Sequence, residues 1–157
     1  MCLTTNQKKP LIARTDITVY KVLDDAGAAP YHSEYQYYRG KMHQDKKDEI
    51  IYDLSFSKQI HGGYLHAYTT INDAEELAQC FNDGRFRYDL DWMAERHFVV
   101  TEMRIPAGTP YYVSQDGKQI CSKVLAWDYE QEKNKRKHRF SLKDFIGLLP
   151  RLTIKKK

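Results

Sequence analysis

Alternating apolar and polar positions mark a series of short strands along this chain. Residues 16–23, DITVYKVL, form a β-branched run that predicts the first strand, and DDAGAAP breaks it with acid, glycine and proline. Residues 33–40, SEYQYYRG, predict an aromatic second strand that ends at Gly40. KMHQDKKD then reads as a lysine-rich loop, followed by a third strand in EIIYDLSFS. Residues 64–70 alternate strictly, with Tyr64, His66, Tyr68 and Thr70 on one side and Leu65, Ala67 and Thr69 on the other. HFVVTEMRI places Val99, Thr101, Met103 and Ile105 on one face, with Glu102 and Arg104 opposite. After the PAGTP turn, YYVSQDGKQICSKVLAW predicts a hairpin turning at Asp116 and Gly117.

One segment changes period. Ala74, Leu77, Ala78 and Phe81 fall at i, i+3, i+4 and i+7, one apolar stripe of a helix. Asn72 with Glu75 predicts its capping box, and NDG at 82–84 its end. YDLDWMAERH suggests a further short helical turn. Ser141 and Asp144 cap a closing helix with the stripe Leu142, Phe145, Ile146 and Leu149, stopped by Pro150. Five or six strands with two or three helices, in no regular alternation, predict an α+β fold on a mostly antiparallel twisted sheet. Residues 1–15 read as a flexible arm, 16–150 as one domain and 151–157 as a basic tail.

Composition sharpens this picture in two places. Of 157 residues, 12 are Tyr, a residue suited to half-buried strands and wet clefts because its ring packs while its hydroxyl finds a polar partner. No apolar run reaches transmembrane length, and the first residues lack the apolar core of a signal peptide. Cys2, Cys80 and Cys121 show no metal-ligand spacing, so reduced thiols in the cytoplasm are the expectation. Charge is uneven: ten Lys/Arg against four Asp/Glu fall from Asp128 onward, giving +6 there and −2 over the preceding 127 residues.

The candidate chemistry gathers around 62–77, GGYLHAYTTINDAEEL. The small apolar set of the strand is expected to face the helix, which leaves Tyr64, His66 and Tyr68 toward a cleft. Gly62 and Gly63 permit close backbone approach, and the helix start offers free N–H groups to an anion. A pocket of nucleotide type bounded by Gly62, Gly63, Tyr64, His66, Tyr68 and Thr70 is one reading. The other is that these rings fill an ordinary sheet-facing core. His61 and His66 would point to opposite sides of a strand, so no metal is expected. His97 reads as a surface or capping histidine and Cys121 as a small buried hydrophobe. No P-loop, G-x-S-x-G or H-E-x-x-H occurs.

TVYKVL, GGYLHAYTTINDAEELA, VVTEMRIPAGTPYY and ICSKVLAW together resemble small bacterial and phage proteins. These share a G-[FY]-H-A-x-T strand before a helix and an I-P-x-G-T-x-Y-Y turn. The resemblance spans most of residues 17–127 and implies no activity. More remotely, the order resembles the ADP-ribosyltransferase fold. That resemblance implies a first-strand basic residue at Lys21, an NAD-pocket unit at Tyr68, Thr69 and Thr70, and a late-strand catalytic glutamate. Lys123 stands at the glutamate's position, where an ammonium would oppose the cationic transition state, and Glu102 is the nearby carboxylate.

The basic stretch with Lys133, Lys135, Arg136, Lys137 and Arg139 could grip phosphates, although Phe140 is its one aromatic partner. The expectation is thus a non-catalytic domain binding a nucleotide-type ligand or a protein, with no cofactor. An NAD-using transferase and a nucleic-acid binder are the alternatives.

Overall fold

The computed structural model describes residues 2–30, 32–85 and 96–129. Its strands are β1 (Leu3–Thr5), β2 (Leu11–Ile12), β3 (Ile17–Asp24), β4 (Ala28–Ala29), β5 (His32–Gln36), β6 (Lys41–Gln44) and β7 (Ile50–Asp53). They continue with β8 (Lys58–Gly62), β9 (Leu65–Tyr68), β10 (Phe98–Ile105), β11 (Pro110–Val113), β12 (Gln119–Ser122) and β13 (Val124–Trp127). A single helix, α1 (Ile71–Asn82), lies among them in the described residues.

An eight-stranded sheet runs in the order β2-β11-β12-β9-β3-β10-β13-β6, and every ladder in it is antiparallel. A three-stranded sheet, β1-β8-β7, and the small β4-β5 ladder complete the fold. Among the described residues the architecture is therefore mostly antiparallel β with one helix, not the α+β arrangement with two or three helices that the sequence predicts. Segments read as arm and loops supply the extra strands. Leu3 and Thr5 are fully buried in β1, and KMHQ forms β6 against β13. β1 alternates with Leu3 and Thr5 inward, whereas β6 is mostly exposed and is recruited chiefly through backbone hydrogen bonds, which need no hydrophobic alternation. The expected helical turn in YDLDWMAERH falls largely outside the described residues, and the closing helix lies wholly outside them.

The sheet is buried on both faces of β3. Val19 and Leu23 join Met103, Ile105, Ile120 and Leu125 in the main core, while Tyr20 and Val22 turn to the helix side. There Ala74, Ala78 and Phe81 of α1 pack on Val22 and Phe98. The apolar stripe of the helix is as expected, but its cap sits two residues earlier. Thr70 is the N-cap, accepting from the Asp73 N–H at 3.3 Å and donating to the Asp73 carboxylate at 2.6 Å. The face assignment of the quoted strand also reverses. Leu65 and Ala67 enter the main core, and Tyr68 packs with the helix cluster. Tyr68 is the register partner of Tyr20, and paired residues share a face.

Two features seat the β4-β5 region on this sheet. Asp24 accepts from the backbone N–H groups of Ala26 and Ala28 and from Arg96 Nε at 2.6 Å. Arg96 in turn donates to the carbonyls of Ala28 and Ala29. Burial pushes the Asp24 carboxyl up, but the Ala28 N–H and the Arg96 guanidinium outweigh it and hold the group below the usual carboxylate range. The second feature is Gly27, with φ at +82°. Its carbonyl accepts from the Tyr37 N–H at 2.8 Å, and a Cβ there would lie 2.3 Å from the Tyr37 carbonyl oxygen. Among the described residues no helix is long and apolar enough to cross a membrane.

Gly27→Ala is expected to lower stability by about 3 kcal/mol, since backbone must move as well as strain. Gly40→Ala, at φ +77° with nothing within 4 Å, is expected to cost about 1 kcal/mol, and denaturant titration of both variants checks the contrast. Asp24→Asn is expected to lose about 2 kcal/mol at pH 7. Because the native carboxyl titrates low, that loss should disappear as pH falls through its folded-state value, which paired acid titrations would reveal.

Candidate functional site

Strand β3 is bonded along its whole length to β10, from Ile17 opposite Ile105 to Asp24 opposite Phe98. On its other side it meets β9 at one register pair, Tyr20 and Tyr68. Beyond that pair the two strands part. The gap widens into a cavity of about 820 Å³, within the range of small-molecule pockets. Its walls come from both faces of the sheet, with Tyr37 and Leu65 from the main-core side and Tyr68 and Leu77 from the helix side.

Lys21 lies in this opening and is 8 % exposed. Its Nζ donates to the carbonyl of His66 and sits 5.0 Å from the centre of the Tyr37 ring. The bond supplies a donor to a carbonyl that the interrupted ladder leaves without a strand partner from β3. Among the described residues Lys21 forms no ion pair. Desolvation therefore acts unopposed and brings its amine down to about 8.

Opposite stand Tyr35, Tyr37 and His43, none of which the sequence reading singled out. The rings of Tyr37 and His43 are 4.9 Å apart. His43 Nδ1 faces the Tyr35 hydroxyl at 3.2 Å, and its Nε2 faces both the N–H and the carbonyl of Tyr38, at 3.0 and 3.1 Å. Either tautomer thus finds partners. Burial, with Tyr35 and Asp45 nearby, holds the phenolic proton firmly on Tyr37. At the rim, Lys46 and Lys47 are exposed, and Asp45 is the carboxylate among the described lining residues. Its oxygen is already engaged by the Lys47 N–H at 2.8 Å.

Lys21, Gly62, Tyr64, His66 and Tyr68 of the sequence-derived set line the cavity; Gly63 and Thr70 do not. Gly63, at φ +80°, lets the chain pass the backbone of Glu49, whose Cα would lie 2.8 Å from an added Cβ. Thr70 is consumed by the helix cap, and Asp73 places a carboxylate in the first turn. The helix start therefore does not serve the cavity as an anion site. His61 lines the rim, with Nδ1 2.9 Å from Cys2 Sγ and Nε2 3.3 Å from Gln59 Oε1. Cys121 is fully buried, its thiol pushed up to about 12 mainly by desolvation.

Lys123 stands apart from the cavity. Its Nζ lies 2.7 Å from Glu49 Oε1 and 4.3 Å from the centre of the Tyr64 ring, and the Tyr64 hydroxyl donates to the same oxygen at 3.1 Å. Glu102 is exposed on β10 opposite Tyr20, on the helix side of the sheet. Thr69 donates to the carbonyls of Gly117 and Lys118, tying β9 to the β11-β12 turn. The basic residues Lys133, Lys135, Arg136, Lys137 and Arg139 lie outside the described residues. No protein-family model, no curated protein and no solved structure matches this chain.

The Lys21 environment carries a stability signature. Its amine titrates near 8 in the fold and near 10.5 in the open chain, so folding at neutral pH carries a cost of roughly 3 kcal/mol. The cost is full below about pH 8 and is relieved as pH rises toward 10.5. Lys21→Met should therefore be more stable than the parent by about 2 kcal/mol at pH 7, after the lost His66 hydrogen bond is counted. That advantage should shrink between pH 8 and pH 10.5, as measured by urea unfolding across the range. A variant less stable at every pH would make Lys21 a purely structural group.

Proposed function

We propose that this domain binds a small anionic molecule with a flat ring, of nucleotide size, in the cavity between β3 and β9. One observation carries the reading: a lysine buried on the wall of a large cavity with no ion-pair partner among the described residues. Such a group lowers stability in the free protein, and an anion or a reactive partner restores what it lacks. The wall composition supports the same class. Lys21, Lys46 and Lys47 face one carboxylate, already bonded to a backbone N–H, so an anionic end is favoured near the rim. Tyr35, Tyr37 and Tyr68 offer ring faces and edges to a planar body.

Three cysteines without disulfides suit a reducing compartment, and we place the protein in the cytoplasm. Thermal-shift measurements with AMP, UMP and 4-nitrophenyl phosphate, against adenosine, uridine and 4-nitrophenol, test the reading. The phosphorylated members should raise the melting temperature, with an effect that falls as salt rises. Lys21→Met should abolish the shift although its own fold is at least as stable. Equal responses to charged and neutral members would refute the proposal, as would shifts that survive in Lys21→Met and in the Lys46→Gln, Lys47→Gln pair.

A further inference from the structure

Lys21 differs from an ordinary phosphate-binding lysine in its placement. Anion-gripping lysines work as solvated point charges on flexible stems, as Lys46 and Lys47 at the rim can. Lys21 is enclosed, with its stem in the sheet core beside Val19 and Leu23 and its nitrogen fixed by the His66 carbonyl. One N–H goes to that carbonyl, so in the neutral amine a lone pair remains for the cavity. Around the same Tyr37 ring lies His43, hydrogen-bonded to the Tyr35 hydroxyl and to the backbone of Tyr38.

From this arrangement we infer that Lys21 is a nucleophile that forms an imine with an aldehyde or ketone group of an anionic, ring-bearing ligand. The inference rests on the proposed binding of such a ligand and names the reactive group it would carry. The Lys21 nitrogen attacks the carbonyl carbon, forming the C–N bond as the C=O π pair moves onto oxygen. That oxygen takes a proton and the nitrogen loses one, giving a neutral carbinolamine. A second proton on the oxygen and loss of the remaining proton from nitrogen release water and leave C=N. The net change is amine plus carbonyl to imine plus water, with no oxidant or reductant. The hydrogen-bonded Tyr35–His43 pair lies on the cavity wall as the route for these protons. An amine near 8 leaves roughly one molecule in ten unprotonated at pH 7, against roughly one in three thousand for an ordinary lysine. The desolvated wall supports attack, and Lys46 and Lys47 remain for the anionic end.

Pyridoxal 5′-phosphate serves as the probe because it joins a flat ring, a phosphate and an aldehyde. Pyridoxine 5′-phosphate, the alcohol, is its non-reacting control. Incubation of the full chain with an equimolar amount, borohydride reduction and peptide mapping should give one main adduct, on Lys21. Its formation should be at least tenfold faster than at any other lysine, and should quicken from pH 6 to pH 8. Lys21→Arg, which keeps a charge but cannot form the imine, should lose that adduct and retain the fold. Excess pyridoxine 5′-phosphate should protect Lys21. Adducts spread evenly over exposed lysines would overturn the inference. So would stabilisation by both compounds without a Lys21 adduct, an outcome that leaves the binding proposal standing. If neither compound binds and no Lys21 adduct forms, both readings fall.

Discussion

The fold turns on an interrupted ladder. A central strand normally satisfies its backbone on both edges, and β3 does so fully against β10. Against β9 it closes once, at Tyr20 and Tyr68, and then gives way to a gap inside an eight-stranded sheet. Backbone groups facing such a gap must be satisfied by something other than a neighbouring strand. The Lys21 side chain crosses the opening and donates to the His66 carbonyl. A single amine thus bridges the two parted strands and becomes part of the wall of the resulting cavity.

Both sides of the gap are braced. Below, α1 lays Ala74, Ala78 and Phe81 over Val22 and Phe98. Above, Tyr37 is anchored through Gly27, whose positive φ and missing side chain admit the carbonyl of Tyr37 at a distance no other residue allows. The Asp24–Arg96 pair holds the intervening turn to the ends of β3 and β4. These contacts place the rings of Tyr37 and His43 on rigid supports, as a site requires if its geometry is to persist.

The contrast between two lysines shows how environment separates roles. Lys123 has a carboxylate at 2.7 Å and an aromatic ring beneath it, so its charge is compensated within the protein. Lys21 has the ring and one carbonyl, and no ion pair among the described residues. The first is a structural strut linking β13's approach to the Glu49 segment. The second carries an unmet electrostatic demand inside a cavity, the condition under which a lysine's proton becomes available for chemistry.

Sequence alone determined the strands with strong alternation, β3 and β10, and the apolar stripe of α1, because period-2 and period-3.6 burial are written directly in residue order. It also pointed to Tyr64, His66 and Tyr68, through the glycine pair and the aromatic strand, while Lys21 entered only through a remote resemblance. Tertiary structure decided the rest. Alternation says which residues share a face, not which face meets the helix, so Leu65 and Ala67 went to the main core and Tyr68 beneath α1. The polar segment before β7 became β6 and brought His43 into the wall, since an edge strand is held by backbone bonds that any side-chain pattern permits. The gap between β3 and β9 has no signature in either strand. It arises from where two ladders cease to run in step, and that is settled only when all the strands are in place.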